Sequence, residues 1–200
     1  MLSIAEASDI IIDAGQRLHE SGLMRGGNGN LSCRVKGGIL VTPSGRCKGN
    51  LKVRDLVVTT VEGGLVTGEN PTSELPMHLA IYRVRKDVEC VVHCHAPYTV
   101  ALTAAGREIR PDILPAVDIT YGRVPVTEFA IPSSVESARK LLPHLKPGLV
   151  AAILPRHGVV AMSHNMEGAV TAAEGVEYAA KVQYLAEALG EITPYPGFEE

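Results

Sequence analysis

Short β-prone runs joined by very tight turns constrain this chain most. Leu31–Val35 and Gly38–Val41 flank Lys36-Gly37, and Val57–Val61 and Gly64–Thr67 flank Glu62-Gly63. Val150–Leu154 and Val159–Met162 flank Pro155-Arg156-His157-Gly158. Turns this short can only join antiparallel neighbours, because a parallel pair needs a crossover of a dozen or more residues. Helical patterns lie between these runs. Ser3 and Glu6 form a capping box ahead of Ile4, Ala7, Ile11, Ala14 and Leu18, so a first helix should run to about Glu20. A second helix should start at Thr72 or Ser73, with Glu74 and Pro76 in its first turn. Val88–Cys94 reads as a buried strand, and Pro97 opens a short helix through Ala105. Leu114–Ile119 and Val124–Val126 read as strands, and Ser133/Ser134 cap a helix to about Leu145. A long Ala-rich helix spans Met166 to Leu189, followed by a Pro/Gly tail. The fold class predicted is α/β: a layered αβα domain, 1–200, with a central mixed, largely antiparallel sheet.

Composition narrows the function. With 46% hydrophobic and 20% charged residues, the 200-residue chain can bury a core and is not intrinsically disordered. A formal net charge of −3 with no basic stripe speaks against a nucleic-acid partner. Apolar runs such as Leu149–Leu154 are too short to span a membrane, and Glu6 and Asp9 do not fit a signal peptide. A soluble, cytoplasmic protein is expected. Cys33, Cys47, Cys90 and Cys94 form no CxxC pair and read as small buried hydrophobes. Aromatics are 4% with no Trp, so no stacking platform for single strands is present.

His93-Cys94-His95 carries the first chemical signal. Alternate side chains of a strand share a face, so His93 and His95 point together while Cys90 and Cys94 point to the other side. Such a pair is either a two-ligand metal edge or a pair of core histidines held by hydrogen bonds. His157 is a candidate third imidazole, and three His with open coordination suit a catalytic metal. His19, His78, His144 and His164 fall on polar faces or in loops. Glu74 is either a residue favoured by the helix N-terminus or a functional carboxylate. Thr72 and Ser73 beside it, with Gly29-Asn30 and Ser44-Gly45, offer hydroxyls and free amides suited to a phosphate, or are simply turns.

The order Gly29-Asn30-Leu31-Ser32, Thr42-Pro43-Ser44-Gly45, Pro71-Thr72-Ser73-Glu74, His93-x-His95 and His157-Gly158 resembles the class II aldolase/adducin family, from the first helix to about Leu189. The resemblance implies one Zn²⁺ per subunit, or another divalent transition metal, on His93, His95 and His157. Glu74 would be a fourth ligand or the catalytic base. Asn30, Ser44, Gly45, Thr72 and Ser73 would hold a substrate phosphate. The implied activity is a metal-dependent aldolase that reversibly cleaves a ketose 1-phosphate, a small-molecule sugar phosphate, to dihydroxyacetone phosphate and a short aldehyde through a metal-stabilised enediolate. The implied assembly is a homotetramer. Within the same family stand 4-epimerases, dehydratases, keto-acid sugar-phosphate decarboxylases and the non-catalytic adducin head.

Two departures concern the proton donor. The family's aldolases place a tyrosine after the His pair, where this chain reads Ile113-Leu114-Pro115-Ala116-Val117-Asp118; Tyr121 comes a few residues later. Asp118 is similar to an acid/base aspartate of the epimerases, or is a strand-end residue. The family's tail tyrosine has Tyr195 as its candidate. The apolar face of the last helix, through Ala172, Val176, Ala179 and Val182, suits either subunit packing or the domain core.

Overall fold

Hydrogen bonding joins the strands β1 (Asn30–Val35), β2 (Gly38–Val41), β3 (Val57–Thr59), β4 (Leu65–Thr67), β5 (Cys90–Cys94), β6 (Ala151–Leu154) and β7 (Gly158–Ser163) into one seven-stranded sheet. Its order is β4-β3-β2-β1-β5-β7-β6, and every ladder in it is antiparallel. This computed structural model describes residues 2–198. The predicted Lys36-Gly37, Glu62-Gly63 and Pro155–His157 turns each join neighbouring strands.

Two apolar cores sandwich the sheet. Leu31, Cys33, Cys90, Val92, Cys94 and Val159 face one of them, together with Ile11 and Leu18 of α1 (Ile4–Glu20) and Ala169, Ala173 and Val176 of α6 (Met166–Leu189). Ile39, Val91, Val160 and Met162 face the other, against Leu79 and Tyr82 of α2 (Leu75–Val84) and Leu141 of α5 (Val135–Leu141). Each fully buried Val, Leu or Ile contributes about 1.5–3 kcal/mol to holding these layers. The period-two alternation seen in β5 and β7 is the cause of the αβα layering. It also decides the role of the last helix: Ala172, Val176 and Ala179 are buried in this chain's own core, with Val182 half-buried beyond them. Ser3 and Glu6 form the predicted capping box of α1. All four cysteines are free, and Cys33, Cys90 and Cys94 pack in the first core.

Three expectations are corrected. Leu114–Ile119 is not a strand: Pro115–Tyr121 forms the helix α4, entered from an extended Leu114. Pro115 lacks an N–H for a ladder and is tolerated at the first helical position, while the residue before a proline is pushed into the extended region. Val124–Val126 stays outside the named strands and pairs with β6 only at an isolated Val126–Ile153 bridge. The helix after Ser134 stops at Leu141 and continues as a one-turn 3-10 helix over Leu142–His144, where Pro143 withdraws the N–H that an α-helix needs. Tail residues 199 and 200 lie outside the described residues. Among the described residues no helix is long and apolar enough to cross a membrane.

Candidate metal centre and anion pocket

His93 sits in β5, fully buried, directly across from Asn30 of β1 on one side and Val160 of β7 on the other. His95 follows two residues later, just past the strand. His157 ends the three-residue turn between β6 and β7, in which Arg156 takes a left-handed φ of 61°. Gly158 allows this turn to close, because a Cβ there would strike the Cys94 carbonyl. The sheet register therefore brings the three imidazoles together: their ring centroids lie 4.6–5.1 Å apart. One ligating nitrogen from each falls within 4.8 Å of the others.

Glu74 joins them from the opposite wall. It occupies the N-cap of α2 rather than the helix's first turn, and neither Thr72 nor Ser73 does so. Thr72 Oγ1 instead accepts from the Glu74 N–H at 3.3 Å. Glu74 Oε1 accepts from the Ser133 N–H and, at 3.1 Å, from the Ser133 hydroxyl. Oε2 lies 3.3 Å from His93 Nε2 and 3.7 Å from His157 Nε2, yet among the described residues it has no hydrogen-bond partner.

These groups fit a divalent cation. His93 Nδ1–H donates to the Val159 carbonyl at 2.9 Å, so its Nε2 carries a lone pair, and that lone pair faces His157 Nε2 at 3.2 Å. That lone pair and the unpartnered Glu74 Oε2 converge with His157 Nε2 on one point, and a cation placed there would be attracted to all three. Burial, followed by the neighbouring His157 and His95, holds the His93 imidazole well below its usual range. Burial with His157 and Lys48 pushes His95 down to about 4, and burial lowers His157 although Glu74 opposes it. All three are thus neutral at pH 7, the form that binds metal.

A pocket of about 200 Å³ opens beside this cluster, lined by Asn30, Ser44, Gly45, Lys48, Thr72 and Ser73 together with Glu74, His95, His157 and Ser133. Backbone pairing assembles its walls. Pro43 bridges Pro71, Ser44 N–H donates to the Asn70 carbonyl at 2.9 Å, and Thr72 N–H donates to the Thr42 carbonyl at 3.0 Å. Thr42 in turn exchanges bonds with Leu31, next to Asn30. All five residues expected to hold a phosphate therefore line one cavity. A larger groove of about 710 Å³ shares His95 with it and is lined by Arg25, Tyr98, Glu174, Tyr178 and Lys181.

Asp118 and Tyr121 do not line the small pocket. Asp118 Oδ2 accepts from the Tyr195 hydroxyl at 2.6 Å, while the Tyr121 hydroxyl donates to the Thr171 carbonyl of α6 at 3.3 Å. The tail tyrosine and Asp118 thus meet each other, away from Glu74.

The sequence reading missed three residues. His78 does not lie on a polar face; it is fully buried, and burial pushes its imidazole down to about 3. Tyr82 and Ser32 hydroxyls and the His78 ring form a chain that ends where His78 Nε2–H donates to Asn30 Oδ1, leaving the Asn30 amide N–H groups for the pocket. A His one turn along a helix from Glu74 was the available signal. Ser133, expected only as a helix cap, contacts Glu74, and Lys48 was not singled out.

Residues 9–184 match the model of the Class II Aldolase and Adducin N-terminal domain. A 5-deoxy-D-ribulose 1-phosphate aldolase of Bacillus thuringiensis serovar kurstaki is 32% identical over 187 residues, spanning 90% of this chain and 85% of that protein. A 3-oxo-tetronate 4-phosphate decarboxylase of Haemophilus influenzae is 32% identical over 180 residues, spanning 87% of this chain and 85% of that protein. A solved L-fuculose 1-phosphate aldolase superposes with a TM-score of 0.88 at 32% identity, covering 98% of this chain and 93% of that one. With its fold and its histidine cluster inside the matched span, the chain belongs to the class II aldolase and adducin family.

Proposed function

We propose that this chain is a zinc-dependent aldolase, reversibly cleaving a ketose 1-phosphate to dihydroxyacetone phosphate and a short aldehyde. One observation carries the reading: a single small cavity holds the hydroxyl- and amide-lined pocket, the Glu74 carboxylate and two of the three clustered histidines. Asn30, Ser44, Gly45, Thr72 and Ser73 bind the phosphate, which fixes the reacting carbons beside Glu74 and provides remote binding energy for orientation. His93, His95 and His157 would hold the metal, with Glu74 as a fourth ligand in the resting site. When bound, the cation withdraws electron density from the substrate carbonyl and stabilises the negative charge left as the carbon–carbon bond breaks. Glu74 takes the proton from the hydroxymethyl carbon of dihydroxyacetone phosphate in the condensation direction and returns it in cleavage. Asp118 or Tyr121 protonates the aldehyde oxygen, reaching the site of a neighbouring copy in a homotetramer. The aldehyde end occupies the larger groove past His95. The same reading makes residues 1–200 one domain of a cytoplasmic enzyme.

Decarboxylation of a keto-acid sugar phosphate is the second reading. It is favoured by the relatives named as decarboxylases. The deciding experiment is proton exchange on dihydroxyacetone phosphate in D₂O, followed by NMR with zinc-loaded protein. Exchange at the hydroxymethyl carbon that is lost, by roughly 10²–10⁴-fold, in Glu74→Gln supports the aldolase. Metal-loaded protein without exchange overturns it in favour of decarboxylation or epimerisation of a larger sugar phosphate.

A further inference from the structure

We propose that Lys48 supplies the positive charge of the anion pocket and pairs directly with the phosphate dianion of the substrate. The side chain is 1% exposed and lines the pocket alongside Ser44, Gly45, Thr72 and Ser73. Its ammonium donates to the Gly27 carbonyl at 2.9 Å and the Arg46 carbonyl at 2.6 Å. An ammonium has three N–H donors, so one is left over. Among the described residues no carboxylate pairs with it, and burial pushes it down to about 8. A buried cation without a counter-charge is costly, and Lys is almost never fully buried unless paired. The missing partner is thus an anion that enters the cavity.

The local fold holds Lys48 in this position. The turn over Lys48–Asn50 packs onto α1 so closely that a Cβ on Gly15 would lie 2.8 Å from the Lys48 carbonyl, and one on Gly49 would strike the His19 ring. A glycine inside a helix is unfavourable, and Gly15 is what permits the approach. Charge balance points the same way. Among the described residues Lys48 is the one Lys or Arg side chain lining the small pocket, which it shares with the Glu74 carboxyl group. A dianion placed beside Glu74 with hydroxyl and amide donors alone is opposed by that carboxylate; the ammonium offsets it.

The identity of the ligand as a sugar phosphate rests on the proposed function, whereas the anion site does not. The test therefore uses inorganic phosphate as its probe, titrated by calorimetry into zinc-loaded protein at pH 7. Wild-type protein should bind it, and Lys48→Met and Lys48→Gln should bind at least about 10-fold more weakly with unaltered metal content. A rise in KM for the phosphate substrate should account for most of the loss in kcat/KM. Unchanged phosphate affinity in a folded Lys48→Gln overturns the assignment, as does wild-type protein that binds no phosphate. Phosphate binding that depends on Lys48, without proton exchange on dihydroxyacetone phosphate, sustains the assignment and sinks only the aldolase reading. Should both variants fail to fold, phosphate must still protect Lys48 of the wild-type protein from amine acylation, read by peptide mass spectrometry; no protection overturns the proposal.

Discussion

The Ser133 N–H donates to Glu74 Oε1, and this contact directs Oε2 toward the nitrogens of His93 and His157. Ser133 adopts a left-handed φ of 62°, which a non-glycine residue holds only when its surroundings require it. Its hydroxyl, which donates to Glu74, also lies 2.9 Å from Ser73 Oγ, where it can accept the Ser73 proton, so one residue ties the carboxylate to the pocket wall.

Ser133→Pro and Ser133→Gly separate these contributions. Proline cannot take a positive φ and has no N–H, so Glu74 loses its anchor and turnover should fall by roughly 100-fold, as for a misplaced catalytic group. Glycine keeps the N–H and relieves the backbone, so the loss should stay within about 5-fold. Steady-state turnover and proton exchange measure both. Wild-type exchange in Ser133→Pro would mean that Ser133 does not orient Glu74.

His95→Ala removes one of the three converging imidazoles. Zinc should raise the melting temperature of wild-type protein, with about 2.7 kcal/mol of stabilisation at a free concentration 100 times Kd. The variant should show most of that shift lost and little metal by elemental analysis. Full activity of the wild-type protein stripped of metal would sink the metal assignment.

Asp118→Asn and Tyr121→Phe should differ in kind. The Tyr121 hydroxyl is engaged by the Thr171 carbonyl, so its loss should cost about 1 kcal/mol in stability and leave turnover nearly intact. Asp118, bonded to Tyr195, should lower turnover at constant metal content when made Asn. The reverse pattern in unfolding and kinetic measurements would transfer the proton-donor role to Tyr121.

Acid should destabilise the metal-free protein over a defined range. Burial pushes His78 down to about 3 and His95 down to about 4, against an ordinary imidazole value of 6.5. The unfolded chain therefore binds more protons than the folded one below about pH 6.5, and the stability present above that pH is lost progressively toward pH 3–4. Denaturant midpoints should fall from pH 7 to pH 4, and less steeply in His78→Asn. An unchanged slope in that variant would exclude His78 as a contributor.

Much of the fold was legible because local signals and the global architecture agree. The Ser3–Glu6 box, the tight turns and the Met166–Leu189 helix are set by interactions within a few residues. Leu114–Ile119 misled because its apolar, β-branched content outweighed Pro115, whose missing N–H excludes a ladder yet suits a helix start. His78 misled because burial depends on what packs against a helix face, and here Asn30 and Ser32 arrive from a strand 46 or more residues away.

By itself the sequence determined the residue types available for chemistry, the antiparallel hairpins, and the two-residue spacing that sends His93 and His95 to the same side, since extended-chain periodicity is a local property. Tertiary structure alone decided which of these residues meet. The β1–β5–β7 register sets Asn30 and His93 side by side, the β6–β7 turn delivers His157, and the Pro43–Pro71 bridge closes the pocket. Only the packed chain places Ser133 on Glu74 and buries Lys48 with no carboxylate paired to it among the described residues, because burial and long-range pairing belong to the assembled sheet and not to any window of residues.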